Sequence, residues 1–335
     1  MTTRRIVLSL VFTLLVAPLA LVPAGPVSGA PGRAVAAVQS EIEDDDGRLN
    51  ILLLGGDAGW DRAGLRTDTM IVVSVELATA RVAMFGVPRN LASVPLPKGA
   101  AELFPCRCWP DLLNALYGYG MANPQLFPSG RNPGATALMD TIGGLLGIWI
   151  DHYALVDLLG FVQVVDALGG LTLDVPTRVV IQPSPPEAGG EWRTYDIQPG
   201  RQRLDGHAAL AYVRSREDGS DYDRMGRQRC VLGVLAREAD VPGLARSYPK
   251  LVDALRASVA TDVPVDLLPD LIKLAAEVDA SQVVAIGFVP PSFQVAGGAP
   301  NVELIRQTVQ AAFGAPNAPD DGSLATLPAS CGWAA

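Results

Sequence analysis

Unbroken aliphatic runs alternate along this chain with segments of helical spacing. Asn50–Leu54 is apolar and closes on Gly55-Gly56-Asp57. Thr69–Glu76 and Arg81–Val87 are two further apolar, β-branched runs separated by a short turn. Runs of this length bounded by turn residues predict central strands, the second and third forming a hairpin. Asp151–Asp157, Leu171–Val175 and Gln282–Val289 predict three more strands. Helices are predicted at Thr136–Leu146, Leu158–Leu168, Asp205–Val213, Arg224–Ala239, Leu244–Ser258, Val265–Val278 and Asn301–Phe313. The second of these stops at Gly169-Gly170, and the third starts on a capping aspartate. Ala92–Trp109 and Val180–Gln198 are rich in proline and polar residues and predict loops. No internal repeat is visible, and the mixture of strands and helices predicts an α/β layered domain.

The N-terminus sets the compartment. Arg4 and Arg5 precede a charge-free stretch from Ile6 to Gly32, with small residues at Val27–Ala30. That order fits a secretory signal peptide. The apolar part also suffices for one membrane helix of about 20 residues, although Pro18, Pro23 and Pro26 weaken its second half. Either reading exports the rest of the chain and leaves Arg4 and Arg5 inside. The expected organisation is a signal peptide or membrane anchor at 1–31, an acidic linker at 32–48, one folded domain at 49–315 and a flexible tail at 316–335. Cys106, Cys108, Cys230 and Cys331 then lie in an oxidising space, where three pairings are open. A disulfide in the loop before Trp109 is preferred to a zinc site, because His152 and His207 are the only histidines.

Composition changes the picture at one point. Hydrophobic residues make up 49% and charged residues 18%, a globular balance. With 26 Lys+Arg against 35 Asp+Glu the net charge is -9, which argues against a nucleic-acid binder. Yet Lys98, Lys250 and Lys273 are the only lysines, and Arg214, Arg216, Arg224, Arg227 and Arg229 crowd into one short stretch. Guanidinium forks match phosphate oxygens bidentately, so an arginine cluster in an acidic chain points to one local anionic target.

Candidate chemistry sits at the strand ends. No nucleophile elbow, phosphate-binding glycine loop, dinucleotide fingerprint or metalloprotease motif occurs. Asp57 follows the first strand, Arg66 and Asp68 precede the second, and Arg89 follows the third. Two carboxylates suit Mg²⁺, which takes few protein ligands and completes its shell with phosphate and water. Arginines supply the phosphate clamp, so the combination predicts a phosphoryl-transfer site.

These residues also carry a resemblance. The stretches are Asn50-Ile-Leu-Leu-Leu-Gly-Gly-Asp57, Arg66-Thr-Asp-Thr-Met-Ile-Val-Val73, Val87-Pro-Arg89 and Leu113-Asn-Ala-Leu-Tyr117. Gly160–Pro176, Leu204–Arg216 and Asp221-Tyr-Asp-Arg224-Met-Gly-Arg227-Gln228 follow in the same order. Together they resemble the LytR-CpsA-Psr family of cell-wall glycopolymer ligases, from about Asn50 to Leu235. The arginine- and alanine-rich composition suggests an actinobacterial source.

The resemblance implies a layered α-β-α domain with a central mixed sheet flanked by helices. It implies a phosphotransferase on the extracytoplasmic face of the membrane, or secreted to the cell wall. Such an enzyme moves a glycopolymer from a polyprenyl-pyrophosphate carrier to peptidoglycan, with membrane lipid nearby and Mg²⁺ as cofactor. A polyprenyl-pyrophosphate pyrophosphatase and a non-catalytic lipid-pyrophosphate-binding regulator are the alternatives. By the same resemblance Asp57 and Asp68 hold the metal, and Asp57, Asp68 and Arg89 carry catalysis. Arg66, Arg89, Arg214, Arg216, Arg224, Arg227 and Gln228 bind the pyrophosphate. The apolar stretches Leu138–Leu168 and Ala208–Leu235 would wall a groove for the lipid. Asn90 departs from the family, which usually has Asp after Pro-Arg.

Overall fold

A computed structural model describes residues 47–57, 65–128, 132–184, 193–216, 219–238, 258–295, 297–314 and 325–326. Among them the main sheet is built from β1 (Arg48–Gly56), β2 (Thr67–Glu76), β3 (Arg81–Gly86), β4 (His152–Val156), β9 (Val259–Thr261), β10 (Val284–Gly287) and β11 (Ala325–Thr326). Their order is β11-β10-β3-β2-β1-β4-β9. β1–β2 and β2–β3 are antiparallel, whereas β1–β4 and β3–β10 are parallel, so the sheet is mixed.

The unbroken aliphatic runs have a simple cause: both faces of the sheet are covered. Leu52, Leu54, Met70, Val72 and Phe85 turn to one face. There they pack on α1 (Leu116–Ala122), α2 (Pro133–Leu146) and α7 (Val302–Ala311). Ile51, Leu53, Ile71, Val73 and Met84 turn to the other and meet α6 (Leu268–Glu277). A third cluster joins α3 (Leu158–Ala167), α4 (Gly206–Arg214) and α5 (Asp221–Glu238) to two small sheets. In those, β5 (Leu171–Val175) pairs with β8 (Gly200–Leu204), and β6 (Val179–Ser184) with β7 (Arg193–Ile197).

Several expectations change here. Val180–Gln198 is not one loop, since β6 and β7 form an antiparallel hairpin within it. Val179, Ile181 and Ile197 are buried, whereas Arg178, Asp196 and Gln198 beside them are exposed. The helix predicted from Arg224 begins at Asp221. Within Leu138–Leu168, α2 packs in the first core cluster and α3 in the third. Cys106 and Cys108 form a disulfide, and Cys230 is disulfide-bonded as well. The signal or anchor segment, the linker up to residue 46 and Cys331 lie outside the described residues. So does the Leu244–Ser258 helix except Ser258, and so does the tail except Ala325–Thr326, which pair with β10. Among the described residues no helix is long and apolar enough to cross a membrane.

Candidate functional site

The strand directions bring the candidate residues to one edge. β1 and β3 run together and β2 runs against them, so the end of β1, the start of β2 and the end of β3 share one border. Open α/β sheets place ligands at such borders. A bulge presents Asp68 there: Gly55 faces Thr69 and Gly56 faces Thr67, leaving Asp68 as the extra residue. The Asp57 amide donates to the Arg66 carbonyl at 2.8 Å, holding Asp57 at the same end of the strand pair.

Asp68 accepts two hydrogen bonds and faces two further guanidiniums. Arg89 Nη1 donates to its Oδ2 at 2.7 Å, and Asn114 Nδ2 to its Oδ1 at 2.9 Å. Arg216 and Arg224 stand 3.6 and 3.7 Å from Oδ2. Burial pushes the Asp68 carboxyl up, but the hydrogen bonds from Arg89 and Asn114 and the charges of Arg89 and Arg224 outweigh it. Its pKa is held below the ordinary aspartate value.

A second carboxylate binds the arginines from the other side. Asp221, the first residue of α5, accepts from Arg89 Nε at 3.1 Å and from Arg224 Nη2 at 3.1 Å. Arg216 Nε lies 3.5 Å from it. Burial works against the charge on Arg89, yet Asp68 and Asp221 raise its pKa above the usual value. Arg224, only 3% exposed, is lowered by desolvation, with Arg89 and Arg216 adding repulsion that Asp221 and Asp68 partly offset. Arg214 approaches Asp57 at 3.6 Å.

Not every predicted residue joins this cluster. Arg66 is exposed, and among the described residues its side chain makes no ion pair. Arg227 donates to the carbonyls of Tyr212 and Ser215 and lies over the Tyr212 ring, which ties α5 to the end of α4. Gln228 Nε2 reaches the Val213 carbonyl at 3.5 Å and borders a narrow cleft that also contains Asp68. Asp221 and Asn114 are site residues that the sequence left without a role, although both lie inside the stretches carrying the resemblance. Asn90 Nδ2 faces the Tyr222 hydroxyl at 3.4 Å.

Fold and site therefore define a layered α/β domain with an arginine–aspartate cluster on the edge of its central sheet. Residues 28–298 match the model of the LytR_cpsA_psr family, and the chain belongs to that family. It is 28% identical over 221 residues to a Halalkalibacterium halodurans protein named polyisoprenyl-teichoic acid–peptidoglycan teichoic acid transferase TagU, covering 65% of this chain and 62% of that one. It is 30% identical over 292 residues to the cell wall biosynthesis protein LcpA of Corynebacterium glutamicum, covering 75% and 53%. The chain thus spans less than two thirds of either relative. Among solved structures, B. subtilis TagV superposes with a TM-score of 0.60 at 23% identity, over 81% of this chain and 98% of that one. TagT bound to LIIa-WTA superposes at 0.56 and 20%, over 82% and 96%. These likenesses show the fold.

Proposed function

We propose that the chain is an exported phosphotransferase that moves a glycopolymer from a polyprenyl-pyrophosphate carrier onto peptidoglycan. The observation that carries this reading is the set of guanidiniums of Arg89, Arg216 and Arg224 held in place by Asp68 and Asp221. The names of the relatives support it, since TagU is called a teichoic acid–peptidoglycan transferase. A pyrophosphate meets a preorganised positive field there, so little reorganisation accompanies reaction. An acceptor hydroxyl oxygen bonds to the phosphorus next to the glycan. The bridging P–O bond breaks, polyprenyl phosphate leaves, and the hydroxyl proton passes to a base. The hydrogen bonds from Arg89 and Asn114 hold the Asp68 carboxyl below its ordinary pKa, so Asp68 keeps the arginines in position.

Asp57 and Asp68 would hold Mg²⁺. Among the described residues no group of three acidic, histidine or cysteine side chains gathers to hold a metal. Two hard carboxylates at one end of the β1–β2 pair nonetheless fit the ion, because Mg²⁺ takes its remaining ligands from phosphate and water. When bound, it would offset charge on the phosphate oxygens.

The test is turnover of a lipid-linked oligosaccharide pyrophosphate by the purified full chain. Asp68→Ala and Arg89→Ala are expected to lower polyprenyl phosphate release by about 100-fold or more while the folded signal persists. Chelation of divalent ions should stop release in the unaltered protein. Unchanged turnover in both variants would sink the mechanism. Transfer to peptidoglycan fragments, assayed beside simple hydrolysis, separates a ligase from a pyrophosphatase.

A further inference from the structure

Arg229 lies one residue beyond Gln228 on α5 and differs from every other arginine of the site. Its guanidinium rests across the ends of the parallel strands β3 and β10, where Gly86 and Gly287 are register partners. A Cβ at Gly287 would stand 2.5 Å from Arg229 Nη1, and one at Gly86 3.0 Å from it. Both strands are glycine where the guanidinium sits, and any side chain at Gly287 would displace it. Nη1 is buried without a hydrogen-bond partner. Among the described residues no carboxylate pairs with this arginine, and burial alone lowers its pKa. Arg89, Arg216 and Arg224, by contrast, all share Asp221.

A guanidinium nitrogen buried without a partner is costly, so a structural arginine normally has its buried nitrogens hydrogen-bonded. Met225, Gln228 and Arg229 occupy one face of α5, at i, i+3 and i+4, and line the cleft with Asp68, Gly86 and Val87. The cleft is narrow, with room for an oxygen of an anion rather than for a sugar. Asp68 is a carboxylate on this same cleft, and Arg89, Arg216 and Arg224 stand beside it to offset its charge toward an anion.

We propose that Arg229 is a further phosphate-contacting residue, which donates to a non-bridging oxygen of a condensed phosphate at this cleft. The proposal deepens the phosphotransferase reading and rests on its pyrophosphate donor.

Inorganic pyrophosphate, titrated calorimetrically into the full chain, is the probe. Arg229→Met is expected to weaken binding by about tenfold or more, and Arg229→Lys by less, because one charge-assisted hydrogen bond is lost or only partly replaced. Arg229→Met should also melt a few degrees higher than the unaltered protein without ligand, since a half-buried guanidinium with an unpartnered Nη1 is gone. It should show a smaller rise in melting temperature on adding pyrophosphate. A structural arginine gives the opposite signature: a lower melting temperature and an affinity changed by less than about twofold, and that result overturns the proposal. Should Arg229→Met fail to fold, Gly287→Ala decides, because it crowds the guanidinium without removing its charge. Unchanged pyrophosphate affinity in Gly287→Ala then overturns the proposal. If pyrophosphate does not bind, or binds equally well to Arg89→Ala, the donor reading fails and this one with it. If Arg89→Ala weakens binding while Arg229→Met does not, Arg229 alone is misassigned.

Discussion

Asp221 contacts three guanidiniums, and one of them, Arg224, is almost wholly buried. Removing the carboxylate leaves Arg224 with the more distant Asp68 as its remaining acidic partner. Asp221→Ala is therefore expected to lower unfolding free energy by about 2 kcal/mol or more, read from urea denaturation. Asp68 makes a pH prediction of definite sign. Its folded pKa lies below the ordinary value of 3.8, so the unfolded chain binds its proton more readily. Its stabilising contribution is complete above that ordinary value and is lost as pH falls through the lower folded one. The stability gap between the unaltered protein and Asp68→Asn should stay flat above about pH 5 and shrink in stronger acid. A gap that widens on acidification would contradict the assignment.

Two elements do most to shape the site. The bulge in the β1–β2 pair turns Asp68 out of the ladder, so a residue within an apolar strand serves the border of the sheet. Helix α5 delivers Asp221, Arg224, Gln228 and Arg229 from one side, while Arg227 anchors the helix to α4. Arg227→Ala is thus expected to cost about 1–2 kcal/mol of stability through lost bonds to two carbonyls, measured by thermal melting. Its effect on pyrophosphate affinity should be smaller than that of Arg89→Ala. Helices α2 to α7 and strands β1 to β5 and β10 were legible because hydrophobic periodicity is local, whereas α1, β8, β9 and β11 were not. The hairpin of β6 and β7 was not, since Pro183 and the polar residues around it read as a loop. Its strand character comes from Val179, Ile181 and Ile197 packing under α4.

At the scale of the whole molecule, two apolar layers clamp the sheet, and the site depends on both. Phe288 is fully buried and packs on Phe85 and Phe293, with ring centroids 6.1 and 5.2 Å away. It directly follows Gly287, on which Arg229 rests. Phe288→Ala should cost about 3–5 kcal/mol, seen as a lower urea midpoint. The net charge of -9 belongs to the chain as a whole, whereas the local field at the sheet border is set by its arginines.

The order of apolar runs was enough by itself to specify a layered α/β domain and to place aspartates and arginines at strand ends, because strand character and burial on both faces are written in neighbouring positions. It also carried the motifs of the family. Which carboxylate meets which guanidinium was decided only by the tertiary structure. The Arg89–Asp221 bond joins residues 132 apart in the chain, and the Arg224 contact with the Asp68 carbonyl joins residues 156 apart. Arg229 looked like one more arginine of a biased composition. It gained a role only where two glycine strand ends met beneath it, a juxtaposition that no local pattern encodes.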